Sequence, residues 1–502
     1  MRIASRAIGK SISADGGWTS IEEDQAQLIE QNYPRHRAGF FRMNDMQYHE
    51  FLRTKQTAPQ IAGIDYNGEF NGRMFDYQRD VLDFLLRAGR GAAFLDTGLG
   101  KTLTQLDWAR IINEHTNKPV LILTPLAVAA QTAREAAKFG IDAAVVRDNT
   151  GIKNRINITN YDRLDQFELS QFSGVVLDES SILKNFTGKT RNALVSAFAN
   201  TPYRLACTAT PSPNDHTELG NHSEFLGVLN HADMLPRWFI NDTLDTGEWR
   251  LKGHAVKPFW DWVAGWSRCV SRPSDLGYSD RGFDLPELNI HRHVIEFESQ
   301  ADTQGQLFHS PELSATGIHA VKRESVEARA QHVANMANGN DESWLIWCDT
   351  DDEADYLTRL IPDAVEVRGS HKPEQKEERL LGFADGKIRV LVTKPKIAGF
   401  GMNWQHCANM AFVGLSYSYE SFYQAVRRCW RFGQVRDVNA HLVMTHAEAA
   451  IWRNVAGKAE SHDAMKAEMR AAMLRNAGSI VNKRQTYQPG LAVNMPKWLR
   501  SA

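Results

Sequence analysis

Four groups of residues in this chain have the types and spacing that phosphate chemistry needs. The first is Asp96-Thr97-Gly98-Leu99-Gly100-Lys101-Thr102. An apolar run, Ala92 to Leu95, precedes it, and Leu103 to Ala109 follow with the character of a helix. A strand, a glycine-containing loop and Lys-Thr opening a helix together make a phosphate-binding arrangement. Around Thr97, Gly98 and Gly100 backbone N–H groups can converge on phosphate oxygens, and the free N–H groups of the helix start add to that field. Lys101 is expected to reach the terminal phosphates and the Thr102 hydroxyl to ligate Mg²⁺. The full pattern has glycine five residues before Gly100, where this chain has Leu95.

The second group is Asp178-Glu179, delivered by the apolar run Gly174 to Leu177. In a parallel sheet the carboxyl edge of the strands is where ligands sit. There Asp178 would hold the metal and Glu179 would orient and deprotonate an attacking water. The third is Gln78, whose amide offers a donor and an acceptor to an adenine edge. The fourth is Arg428 with Arg431, three residues apart and so on one face if the segment is helical. Two guanidiniums presented together suit the charge on a transferring phosphoryl group.

These groups need elements to hold them. Apolar runs at Pro119 to Thr124, Ile156 to Tyr161, Gly174 to Asp178 and Tyr203 to Cys207 read as buried parallel strands, with a helix over Val128 to Phe139. The last strand leaves through Thr208-Ala209-Thr210-Pro211. Strands alternating with helices predict a doubly wound α/β sheet. Residues 215 to about 285 break the rhythm and carry five of the thirteen tryptophans, Trp238, Trp249, Trp260, Trp262 and Trp266. They read as a mainly helical insertion with helical character over Phe259 to Val270; its aromatics form a hydrophobic core or, beside Arg268 and Arg272, stack bases. A second α/β series follows, with strands at Ser343 to Cys348, Ala364 to Val367, Ile388 to Thr393 and Met410 to Val413. The expected division is an accessory segment 1–65, a nucleotide-binding domain 66–290 with the insertion, a second domain 291–475, and a tail 476–502 that packs on the body.

A length of 502 residues allows two or three domains, and a net charge of −2 does not announce a nucleic-acid partner. Any basic footprint is local. The five cysteines are scattered without a CxxC pair, which points to neither a zinc site nor a disulfide framework and to a reducing compartment. No apolar run approaches the ~20 residues of a membrane span, and the N-terminus lacks the apolar core of a signal peptide.

Taken in order, Gln78, the phosphate loop, Thr124-Pro125, Thr159-Asn160-Tyr161, Asp178-Glu179, Thr208 to Pro211, Gly399-Phe400-Gly401-Met402-Asn403 and Gln424 to Gln434 resemble the superfamily 2 helicases and translocases (DEAD/DEAH-type ATPases). Gly98 to Thr102, Leu183-Lys184-Asn185 after Asp178-Glu179, and Arg431-Phe432-Gly433-Gln434 resemble the Snf2-like branch. The compact chain looks like helicases encoded by bacteriophages. The resemblance implies two RecA-like domains with ATP and Mg²⁺ between them, and Arg428 and Arg431 as arginine fingers from the second domain. It implies that Thr208 and Thr210 couple the nucleotide state to the strand grip, that Gly401 lines the nucleotide cleft, and that Thr124, Thr159, Ser370 and Asn403 touch a nucleic-acid backbone. Ser180-Ser181 stands where the family often has Ala-His. The implied partner is double-stranded or branched DNA, in phage or host replication, repair or recombination in the bacterial cytoplasm. The alternatives are an RNA helicase and a catalytically silent nucleic-acid-binding scaffold.

Overall fold

The structure, a computed structural model, describes residues 63–126, 128–241, 249–296, 315–398 and 403–476, all within the compact unit Pro59–Arg484. The expected accessory segment, except 63–65, the tail after Asn476, and Gly399 to Met402 with Gly401 lie outside the described residues.

The first half runs α1 (Asp76–Ala88), β1 (Arg90–Leu95), α2 (Lys101–Thr116), β2 (Val120–Thr124), α3 (Ala129–Lys138), β3 (Ala143–Val145), β4 (Ile156–Asn160), β5 (Gly174–Asp178), α4 (Lys189–Ala197) and β6 (Tyr203–Cys207). There follow α5 (Leu219–Leu226), α6 (His231–Trp238), a hairpin of β7 (Phe239–Asn241) and β8 (Trp249–Leu251), α7 (Val256–Ala264) and β9 (Ser267–Val270). The sheet order is β3-β4-β2-β5-β6-β1-β9, and every pairing is parallel. Helices on both faces explain why strands such as Val120-Leu121-Ile122-Leu123 are apolar at every position: both sides of the strand are buried.

The Trp-rich segment differs from expectation. The helix expected over Phe259 to Val270 stops at Ala264, and Ser267–Val270 forms β9, which pairs with β1 from Ala92↔Ser267 to Leu95↔Val270. The segment therefore completes the first sheet rather than standing outside it. So short an apolar run satisfies helix and strand periods equally, and only pairing with β1 decides. Trp238, Trp260 and Trp266 are buried in the core that this segment shares with β1, β2 and β5, with Trp249 and Trp262 packed against it. The core reading of these aromatics holds. Arg268 lies with its guanidinium over the Phe84 ring.

The second half runs β10 (Leu288–Ile295), α8 (Ala315–Glu324), α9 (Val326–Asn338), β11 (Trp344–Trp347), α10 (Asp351–Leu360), β12 (Ala364–Val367), α11 (Pro373–Ala384), β13 (Val390–Thr393), α12 (Pro395–Ala398), β14 (Asn409–Phe412), α13 (Tyr419–Val426), β15 (Val438–Thr445) and α14 (Ala449–Arg475). The order β10-β15-β14-β11-β13-β12 is again parallel throughout. Local signals set the helix starts: Thr350 and Glu353 form a reciprocal capping box at α10, and Pro373 opens α11.

Two boundaries move. The expected break at 290/291 falls inside β10, which belongs to the second sheet. The last helix, α14, is shared: Ile451 and Val455 are buried in the second core, while Met465, Met469, Ala472 and Met473 are buried in the first. The fold is thus two RecA-like parallel-sheet lobes, with one helix running from the second core into the first. Among the described residues no helix is long and apolar enough to cross a membrane.

Candidate nucleotide site

Because all strands of the first sheet point the same way, the loops leaving β1 and β5 share one edge. This brings residues 96–102 and 178–179 to a common cavity of about 350 Å³. Gly98 and Gly100 have left-handed backbones, with φ of 95° and 75°. Gly100 is doubly constrained, since a Cβ there would lie 2.0 Å from Gln78 Nε2. Leu95, in the place of the pattern's first glycine, ends β1 buried, and its carbonyl accepts a hydrogen bond from Lys101 Nζ at 3.2 Å. The departure from the pattern therefore leaves the lysine at the loop. Thr102, the second residue of α2, lines the cavity.

Opposite them, the backbone carbonyl of Asp178 accepts from Tyr161 Oη at 2.6 Å, which fixes the end of β5. Glu179 takes a left-handed conformation, φ 55° and ψ 55°, unusual for a residue with a Cβ. Burial, then the neighbouring Glu179, pushes the Asp178 carboxyl well above the ordinary carboxylate range; Lys101 acts in the opposite sense. A buried carboxyl that ionises so reluctantly is one that a nearby cation relieves. Asp178 and the Thr102 hydroxyl are hard oxygen donors on one cavity, a set that fits Mg²⁺.

The second lobe supplies the far wall through Asn403, Arg428 and Arg431. The two arginines are not on a helix: α13 ends at Val426 and both follow in tight turns. Their shared face comes from the turns, in which Arg428 N donates to Ala425 O and Arg431 N to Cys429 O. Burial pulls the Arg428 guanidinium down to about 10 and that of Arg431 to about 9.

Other expected residues are placed differently. Gln78 lines the same cavity, but it is largely buried and its amide is engaged within the protein: Nε2 donates to Leu99 O at 3.0 Å and Oε1 accepts from Phe75 N at 2.9 Å. It ties the start of α1 to the phosphate loop. Thr124 and Thr159 are buried, their strands being covered on both faces, so neither presents its hydroxyl to a nucleic-acid strand here. Asn403 lines the nucleotide cavity rather than an outer groove. Ser370 is exposed beyond β12. Thr208 and Thr210 are buried beside β1, with Thr210 N donating to Thr208 Oγ1.

Sequence reasoning missed several participants. Ser180 is paired with His222 of α5, Oγ to Nε2 at 3.1 Å, and burial pulls that imidazole down to about 4, so it is neutral. Asp96 is tied to Tyr423, Arg427 and Lys466 from the other half of the chain. Nothing in the spacing of these residues signals either contact.

An SNF2-related domain model matches residues 77–254, and a helicase conserved C-terminal domain model matches residues 327–433. Among curated proteins, the TATA-binding protein-associated factor mot1 of Schizosaccharomyces pombe is 22% identical over 521 residues, covering 79% of this chain and 26% of that protein. Helicase SWR1 of Gibberella zeae is 27% identical over 241 residues, covering 41% of this chain and 14% of its own length. The chain thus spans about a quarter or less of these relatives. Both are fungal, and neither bears on the resemblance to bacteriophage-encoded helicases. The SWI2/SNF2 ATPase core of Sulfolobus solfataricus, solved with double-stranded DNA, aligns over 82% of this chain and 99% of its own with 16% identity and a TM-score of 0.39. The two domain models, SNF2-related and helicase C-terminal, fall in this order on two parallel-sheet lobes facing one cavity, and they support an ATP hydrolase of superfamily 2.

Proposed function

We propose that the chain is a DNA-stimulated motor that hydrolyses ATP between its two lobes and uses lobe movement to travel along or remodel double-stranded or branched DNA. One observation carries the reading: a single cavity is lined by Lys101, Thr102, Asp178 and Glu179 from the first lobe and by Arg428 and Arg431 from the second.

Phosphoryl transfer to water needs positioning and charge stabilisation more than covalent chemistry. The loop amides around Thr97, Gly98 and Gly100 and the Lys101 ammonium bind the phosphates. Thr102 and Asp178 would hold Mg²⁺, which neutralises charge on the phosphate oxygens when bound. Glu179 orients the attacking water and accepts its proton. Arg428 and Arg431 place their charge against the transferring group only when the lobes are together, so closure gates hydrolysis. Gln78 and Gly401 border the nucleotide in this reading. The strand grip falls to exposed positions such as Ser370, with backbone amides at the strand ends; such contacts touch phosphates without reading sequence. The near-neutral net charge accords with a local grip of this kind.

ATP hydrolysis by the wild type and by Glu179→Gln, each alone and with single-stranded DNA, duplex DNA, a branched junction and RNA, tests this. Duplex or branched DNA should stimulate the wild type, and Glu179→Gln should lose the stimulated rate. Stimulation by RNA alone would replace the DNA motor with an RNA helicase. No hydrolysis alone or with any polymer would leave a catalytically silent nucleic-acid-binding scaffold.

A further inference from the structure

Asp96 follows β1 as the first residue of the phosphate loop and is bonded to three elements at once. Its Oδ1 accepts from the Tyr423 hydroxyl of α13 and lies 3.3 Å from Arg427 Nη2; its Oδ2 accepts from Lys466 Nζ of α14 at 3.1 Å. Its own loop is included too, since Thr97 N donates to Oδ1 at 2.9 Å. Arg427 Nη2 also donates to the Thr97 carbonyl at 2.8 Å. One guanidinium thus grips both the side chain and the backbone of the loop. The ring of Trp430 lies 5.0 Å from that guanidinium, and Lys466 stands 5.3 Å from the Tyr423 ring centre.

We propose that Asp96 is the positioning residue that sets the register of the arginine segment, Arg427 to Arg431, against the phosphate loop, and that α14 maintains this register through Lys466. Arg428 is the next residue after Arg427, so any slip of Arg427 carries Arg428 with it. Arg427 faces Asp96 while Arg428 and Arg431 line the cavity, so the segment divides its cations between alignment and the nucleotide. Burial alone would push the Asp96 carboxyl up, but Arg427 and Lys466, with the Thr97 amide, outweigh it and hold the group well below the ordinary range. Burial would pull the Lys466 ammonium down, and Asp96 more than offsets it. A buried cluster of this kind serves geometry more than net stability, because desolvation cancels much of the attraction. This rests on the ATP-hydrolase reading and adds to it a residue at the cavity's edge that acts through the arginine segment.

The test uses the full chain as Asp96→Asn, Asp96→Glu, Lys466→Met and the double variant Asp96→Asn/Lys466→Met. Steady-state hydrolysis gives kcat, and a fluorescent ATP analogue gives nucleotide affinity. Asp96→Asn should lower kcat about 10- to 100-fold, the scale of a misaligned reacting group, with affinity changed less than about three-fold. Asp96→Glu should recover part of the loss. The double variant should be no worse than Asp96→Asn, because both changes act through one carboxylate. An unchanged kcat, an affinity loss as large as the kcat loss, or additive effects would overturn the proposal. A second readout works even if the wild type proves inactive. Dyes placed at the exposed positions Asp142 and Lys387, one on each lobe, should report a narrow distance distribution in the nucleotide-free wild type and a broadened one in Asp96→Asn. Identical distributions would sink the register whatever the hydrolysis assay shows.

Discussion

Gly98 of the phosphate loop and Phe432 of the arginine segment are packed so closely that a Cβ on Gly98 would lie 2.9 Å from Phe432 Cβ. Phe432 in turn rests on Phe283, ring centres 5.0 Å apart. The lobes therefore meet directly over the loop, with no room left for a side chain.

Gly98→Ala should hold the lobes apart. It should lower kcat by about 10- to 100-fold, since a displacement of ~1 Å suffices for such losses. Gly98→Ala/Phe432→Gly should recover part of the rate, because glycine at 432 removes the Cβ that the new methyl would meet. Steady-state kinetics of both variants check this; no recovery would assign the loss to the left-handed backbone of Gly98 instead.

Glu179 carries backbone strain at the point where the site needs a carboxylate. Glu179→Gly should raise unfolding stability by about 1 kcal/mol in urea titrations while abolishing hydrolysis, because only the side chain is needed and only the backbone is strained.

The Gln78 amide bridges Phe75 N and Leu99 O from a buried position. Gln78→Ala leaves both partners without it and should cost about 1–3 kcal/mol. Through the loosened loop it should also weaken ATP and GTP binding alike. A loss confined to ATP would show instead that Gln78 turns to read the adenine ring when nucleotide is bound.

Much of this was legible in the chain. Runs such as Val120 to Leu123 and Gly174 to Leu177 are apolar at every position because both faces of the sheet are covered, and that pattern has no solvent-facing alternative. Gly100, Lys101, Asp178 and Glu179 were legible because their chemistry depends on local spacing after a strand. Arg428 and Arg431 were found for a partly mistaken reason: their spacing suits a helix, but turns after Val426 bring them together. Asp96 and Lys466 were not legible, since they are 370 residues apart and each is an ordinary charged residue in its local sequence. Thr124 and Thr159 sit at strand ends, where polarity suggested exposure, yet the neighbouring strands bury them.

Acid should weaken the fold in a defined window. Burial, the largest cause in each case, pulls His222 and His441 down to about 4 and His462 to about 3. An unfolded histidine titrates near 6.5, so below about pH 6.5 the unfolded chain takes up protons that the folded chain refuses. The stabilisation is fully present above that pH and is lost as the pH falls towards the folded values. These histidines contribute a fall in the urea midpoint between pH 7 and 4, which the buried carboxyls of Asp178 and Glu218, raised to about 7 by burial and so protonated first in the folded chain, oppose over the same range. His462→Gln, which can still pair with Tyr419 Oη, should reduce the slope by about one proton.

The methionines of α14 have a consequence for how such a chain can be cut and recombined. Met465, Met469 and Met473, with Ala472, complete a core whose other buried members lie between Ala92 and Cys269. A fragment ending after β15 would contain every strand of both sheets, yet it would leave an apolar trough along α7 and β9 open to water. Exchanging the second lobe for that of a relative would likewise require the helix beyond it to match the first. The lobes are separate sheets but not interchangeable parts, and the smallest piece of sequence that can fold the first lobe in full reaches to the end of α14.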